Sequence, residues 1–174
     1  RVVNLSSYAH RLSALNFEDP SYINRKYHPV EAYAQSKTAN NLFTVALDEL
    51  GKPFGIRAFA AHPGSVGGTD LSRHFSYELG LAMGFIDEQG NMNSDILAIL
   101  KTAPEGAATS LWCACSPMIE DLGGVYCENS DIAFLDSNNT PDPFNVTAKG
   151  VKPYSLDEET AKRLWIISEE VTGV

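Results

Sequence analysis

Tyr33 and Lys37 stand four residues apart in Tyr33-Ala34-Gln35-Ser36-Lys37, a spacing that places both side chains on one face of a helix. A free phenol ionises near pH ~10 and exchanges protons poorly at neutral pH, whereas a fixed ammonium beside it favours the phenolate and makes a usable general acid/base. Taken alone, such a pair is most simply a solvated helix face. Two further groups change its weight: Ser6-Ser7 and His62-Pro63-Gly64 each follow a short apolar run directly. Other candidates are weaker. His10, His28, His62 and His74 show no metal-ligand spacing, and packing or surface roles suffice for them. Cys113, Cys115 and Cys127 are odd in number, lack a paired CxxC pattern and read as reduced, buried thiols. Ser65 follows Pro63-Gly64 in the wrong register for a hydrolase elbow.

The elements that must position these groups can be read from periodicity. Val2-Val3-Asn4-Leu5 is a short buried strand, and the polar stretch from His10 to Pro29 is a surface excursion. From Val30 to Leu50 the pattern is helical, with Ala39, Leu42, Phe43, Ala46, Leu47 and Leu50 as its apolar stripe and Gly51 as its stop. Ile56 to Ala61 forms a second apolar strand. Gly67 to Ala103 is an irregular, lid-like region interrupted by Gly80, Gly84 and Gly90, and a helix opens at Pro104 and runs through Cys115. Gly123 to Cys127 is a third strand, Asn129 to Pro153 a loop, and Asp157 to Val171 a last helix with Leu164, Trp165 and Ile167 towards the core; Trp112 and Trp165 read as core residues. The acidic group Asp157-Glu158-Glu159 complements the dipole at that helix start. Strands too apolar to face water, alternating with helices, describe a parallel sheet covered by helices. In such a sheet ligands bind outside the carboxyl ends of the strands, which is where Ser6-Ser7 and His62-Pro63-Gly64 fall.

The 174 residues are 44% hydrophobic and 20% charged, which excludes a disordered or low-complexity chain. With 13 Lys+Arg against 22 Asp+Glu the formal charge is −9, so nucleic acid is excluded as a partner. No apolar run reaches bilayer length, and the expected location is cytoplasmic, with membrane association through a missing N-terminus left open. Asn138-Asn139-Thr140 and Asn145-Val146-Thr147 fit the glycosylation acceptor pattern but carry little weight without a secretory signal. The chain starts on Arg1 with a strand already under way, and the expectation is a single partial domain over 1–174.

The ordered set Val2-Val3-Asn4-Leu5-Ser6-Ser7, Tyr33-Ala34-Gln35-Ser36-Lys37 with Ala39-Asn40, and His62-Pro63-Gly64 resembles the short-chain dehydrogenase/reductases. Ser7-Tyr8-Ala9-His10, Asn41-Leu42-Phe43, Gly124-Val125-Tyr126 and Leu164-Trp165 to Glu170 are similar to the retinol-dehydrogenase-like and WW-domain-oxidoreductase-like branch. The resemblance implies the C-terminal half of a Rossmann-type doubly wound α/β sheet, with the dinucleotide-binding N-terminal half absent from the chain. It also implies NADP or NAD as cofactor and hydride transfer to or from a hydrophobic alcohol, aldehyde or ketone.

Carried over by position, the resemblance makes Tyr33 the general acid/base, Lys37 its activator and a ligand of the nicotinamide ribose, and Ser7 the holder of the substrate oxygen. Ser6 reads instead as a polar cap at the strand end. Tyr33, Lys37, Pro63, Gly64, Ser65, Val66 and Thr69 are the implied cofactor contacts, although the position that usually carries the threonine holds Gly68 here, one residue before Thr69. The Tyr33/Lys37 helix is an expected face for homo-oligomers. The alternative reading is a non-catalytic remnant or subunit-interaction module of the same fold.

Overall fold

The computed structural model describes residues 1–73, 76–82, 84–138 and 148–174. Strand β1 (Val2–Leu5) is followed by a 3-10 turn (Tyr8–Leu12), an excursion and helix α1 (Pro29–Gly51). Strand β2 (Ala58–His62) precedes two six-residue helices, α2 (Tyr77–Ala82) and α3 (Ser94–Ile99), then helix α4 (Ala103–Cys115). Strands β3 (Val125–Glu128) and β4 (Asp131–Ile132) and helix α5 (Glu158–Thr172) complete the order.

The sheet order is β1-β2-β3-β4, parallel through β3, with β4 antiparallel. The register sets Leu5 beside Ala61 and His62 beside Glu128, so three parallel strands deliver their carboxyl ends to one edge. Alternation along β2 divides the core. Phe59 and Ala61 pack with Cys113 of α4, Ile119 and Cys127, while Ala60 packs with Tyr126 and Val151 on the opposite face. On that opposite side α1 lies against the sheet, and its Leu42, Val45 and Ala46 receive Ala161 of α5. The layers are therefore α4, sheet, α1 and α5, an α/β architecture as its sequence pattern predicts.

Local chemistry fixes the helix ends. His28 accepts from the Glu31 N–H ahead of Pro29 at the start of α1. Thr102 and Glu105 form a reciprocal capping box at α4, and Asp157 caps α5, whose exit passes through the left-handed Gly173.

Several expectations need correction. The buried face of α1 is not the apolar stripe alone: Leu42 and Ala46 are buried, but Phe43 and Leu50 are exposed, and Gln35, Thr38, Asn41, Thr44 and Asp48 are buried instead. These polar groups find partners outside the helix. Thr38 donates to Ser13 O, Thr44 Oγ1 accepts from Asn4 of β1, and Asp48 accepts from Arg57 and from the Ala58 N–H. The loop from Asn129 to Pro153 contains β4 and a parallel bridge between Leu135 and Val151. Both glycosylation patterns, Asn138-Asn139-Thr140 and Asn145-Val146-Thr147, fall wholly or partly outside the described residues, as does His74. The region 67–103 contains α2 and α3, which leave Tyr77, Leu81 and Leu97 exposed. Cys113 and Cys127 are buried thiols; Cys115 is exposed. Among the described residues, no helix is long and apolar enough to cross a membrane.

Candidate active site

The carboxyl end of β1 is the anchor of the site. Leu5 O accepts from Lys37 Nζ at 3.3 Å and from Asn40 Nδ2 at 2.8 Å, which pins one turn of α1 to the strand end. Ser6 is buried; its N–H donates to Ala61 O and its hydroxyl to Lys37 O at 3.3 Å. This geometry gives Ser6 a structural place, tying α1 to the β1–β2 edge.

Lys37 Nζ lies 5.6 Å from the centre of the Tyr33 ring, within cation–π range, as the four-residue helical spacing predicts. Partial burial holds the Lys37 ammonium below its usual basicity. Ser36, on the outer face, returns its hydroxyl to Tyr33 O.

Ser7 has extended backbone angles and begins the 3-10 turn as its N-cap, with Oγ accepting from Ala9 N at 3.1 Å. That bond uses a lone pair and leaves the hydroxyl proton for an external acceptor. Ser7 follows Ser6 on the edge shared with His62, because β1 and β2 are paired up to Ala61.

Pro63 and Gly64 leave the end of β2. Gly64 has φ +86°, a conformation that favours glycine, and a Cβ there would stand 2.9 Å from the Lys101 side chain. Ser65 and Val66 pair with the strand-like stretch ahead of α4: Lys101 N donates to Ser65 O, and Gly67 N donates to Lys101 O. Lys101 Nζ also donates to Asn129 Oδ1 at 2.8 Å beyond β3. Thr69 lies exposed after the left-handed Gly68. The structure thus brings Ser7, Lys37 and Pro63-Gly64 to one sheet edge, with Tyr33 on the same helix face as Lys37, and leaves Thr69 on the surface.

Behind the edge lies a buried aromatic group. Tyr126 of β3 packs between His10, 4.7 Å away, and His62, 6.5 Å away. Both histidines are lowered to about 4, chiefly by burial, with cationic Arg11 and Lys152 acting on His10 and Lys101 on His62. Burial raises the Tyr126 phenol well above its usual range, and the Glu128 carboxylate adds to this. Sequence reasoning missed Lys101, Asn129 and the part played by His10; for His10 the only signal is its place three residues after Ser7. Among the described residues, no cluster of His, Cys, Asp and Glu could hold a metal ion.

No family model matches the chain. It is 40% identical over 165 residues to a protein of Streptomyces lividans named "Probable oxidoreductase", covering 95% of this chain and 52% of that protein. It is 35% identical over 174 residues to human "Retinol dehydrogenase 12", covering 100% of this chain and 46% of the relative. This chain is a homologue of the retinol-dehydrogenase-like short-chain dehydrogenase/reductases. It spans about half the length of the curated relatives it matches. A crystal structure of an uncharacterized protein from Mycobacterium Paratuberculosis superposes with a TM-score of 0.62 at 27% identity, over 100% of this chain and 50% of that one.

For a short-chain dehydrogenase/reductase cofactor, the residues present fit the nicotinamide end. At the end of β2 the left-handed Gly64 keeps its backbone free of a Cβ, with the Lys101 side chain lying over it. Gly64 to Gly68 does not form a pyrophosphate cradle, because it runs into a three-residue turn, Asp70–Ser72, and not into a helix.

Proposed function

We propose that this chain carries the proton-transfer half of an NADP- or NAD-dependent oxidoreductase that interconverts a hydrophobic alcohol with its aldehyde or ketone. The observation that carries this reading is the Lys37 ammonium held 5.6 Å from the Tyr33 ring and bonded to the carboxyl end of β1, one residue before Ser6-Ser7. Its relatives' names, an oxidoreductase and a retinol dehydrogenase, support the reaction class.

In the reductive direction Ser7 Oγ donates to the substrate carbonyl oxygen and opposes the negative charge that develops there. A reduced nicotinamide, held by Lys37, Pro63 and Gly64, would supply the hydride that the carbonyl carbon takes up. Tyr33 gives its phenolic proton to the oxygen, so one C–H and one O–H bond form as the carbonyl π bond is lost. Lys37 stabilises the resulting phenolate until solvent returns the proton, and its second place is at the nicotinamide ribose. Pro63, Gly64, Ser65 and Val66 shape the wall beside the nicotinamide, with Thr69 as a further contact. Exposed Tyr77, Leu81, Met92 and Leu97 in the 67–103 region support an apolar substrate.

The test follows nicotinamide absorbance in the intact protein with a panel of aliphatic and polyene aldehydes, ketones and alcohols. Tyr33→Phe is expected to lower kcat by about 10²–10⁴-fold while leaving the circular dichroism spectrum unchanged. Undiminished turnover in that variant refutes the assignment.

A further inference from the structure

His10 is fully buried in the 3-10 turn that follows Ser7, and it contacts four separate parts of the chain. Its Nδ1 lies 2.7 Å from Ser7 O, and its backbone N–H donates to the same oxygen at 3.2 Å. Its Nε2 lies 3.2 Å from Lys152 N. Its own carbonyl accepts from Tyr154 Oη at 2.6 Å and Thr38 Oγ1 at 3.2 Å, and its ring rests on Tyr126.

These neighbours determine the tautomer. A backbone N–H such as Lys152 N only donates, so Nε2 must keep its lone pair. A carbonyl such as Ser7 O only accepts, so Nδ1 must carry the hydrogen. The charged and titratable groups facing the ring, Arg11 on its own turn, Lys152 on the segment before α5 and the titratable His62 on β2, all oppose a second proton. Protonated Nε2 would also set a donor against the Lys152 N–H. Neutral His10 therefore clamps the Ser7 carbonyl while Ala9 N holds the Ser7 Oγ. Both ends of Ser7 are held, and the position of its Oγ is held with them.

We propose that His10 is a positioning residue for Ser7: its Nδ1–H, held by the Lys152 backbone behind it, sets the orientation in which Ser7 Oγ meets the substrate oxygen. The assignment rests on the reading of Ser7 as the donor to that oxygen. It differs from a packing role because it requires the Nδ1 donor, whereas packing requires only the volume and the Lys152 contact.

Two substitutions separate these requirements. In His10→Asn the amide nitrogen takes the Nδ1 place and keeps a donor for Ser7 O. In His10→Gln the amide oxygen takes the Nε2 place and keeps an acceptor for Lys152 N. In the intact protein, with decanal and NADPH or NADH, His10→Asn is expected to retain most of kcat. His10→Gln is expected to lose roughly tenfold to a hundredfold in kcat with KM little changed, the scale of a slightly misplaced catalytic group. On a Ser7→Ala background the same His10→Gln change is expected to have no further effect. Independently of activity, nitrogen-15 spectra of the histidine rings are expected to show His10 as the neutral Nδ1–H form at neutral pH.

Equal kcat losses in the Asn and Gln variants, or an undiminished His10→Gln effect without the Ser7 hydroxyl, overturn the proposal while leaving Ser7 in place. An Nε2–H tautomer or an imidazolium also overturns it. Full kcat in Ser7→Ala removes the reading of Ser7 itself, and this assignment with it.

Discussion

Two neutral histidines packed on one buried tyrosine make this fold acid-labile in a defined window. His10 and His62 flank Tyr126, and burial lowers both to about 4. The unfolded chain protonates each near pH ~6.5, whereas the folded chain keeps both neutral until pH falls to about 4. Between those values the unfolded state binds more protons, so stability falls as pH falls; it is fully present above the window and lost through it. For His10 the loss is about 2 kcal/mol at about pH 5 and about 3 kcal/mol once both states are protonated. His62 keeps part of its surface accessible, so its share is smaller. Asp136 is held at about 2, first by its hydrogen bond from Lys152, so its contribution survives this window and is lost only below it. The assay is urea unfolding of the intact protein at about pH 7 and about pH 5, with His10→Gln as the perturbation. The parent is expected to lose about 2–4 kcal/mol and the variant about 2 kcal/mol less than the parent. An identical pH dependence in parent and variant refutes the reasoning, because it places the titration elsewhere.

Two further predictions concern the joints that carry the site. Asp48, at 6% exposure, accepts from Arg57 Nε and Nη2 and from Ala58 N, joining α1 to β2. Asp48→Ala removes the acceptor of Arg57 Nε, Arg57 Nη2 and Ala58 N, leaving the guanidinium only its bond to Asp121 O, and is expected to cost about 3–5 kcal/mol in urea unfolding; a cost below about 1 kcal/mol contradicts this account. Gly106 of α4 faces the turn after β2, and a Cβ there would stand 2.5 Å from Val66 Cγ2. Gly106→Ala is expected to destabilise by about 1–3 kcal/mol despite alanine's better helix propensity, with Val66→Ala restoring the loss in the double variant. Additive losses from the two substitutions would refute the contact.

Much of the fold is legible in the chain because its elements are locally determined. Ala58–His62 is a short, nearly continuous apolar run, buried from Ala58 to Ala61, and such a run is stable only inside a sheet covered on both sides. Pro29, Pro104 and the Thr102/Glu105 pair mark helix starts by chemistry confined to a few neighbouring residues. The Tyr33/Lys37 pairing is equally local, because four residues on a helix share a face whatever the surroundings. What periodicity misread is the inner face of α1. A scale that places polar side chains outside cannot anticipate Thr38 bonding to Ser13, or Asp48 meeting Arg57. The two-residue β4 was equally illegible, since a strand that short has no period.

By itself the sequence determined the order of chemistry-bearing groups, the α/β alternation that sends them to strand ends, and the cation beside Tyr33. Tertiary structure alone decided how they are held. Register brings Leu5, Ala61 and Cys127 abreast, so Ser7 and Pro63 emerge side by side from separate strands. Lys101, near the far end of the 67–103 region, closes over Gly64. His10 receives its defining partner from Lys152, 142 residues later in the chain. Local propensity is carried by neighbours in sequence, but a buried polar group is satisfied only by whatever the fold places against it, and that pairing has no signature along the chain.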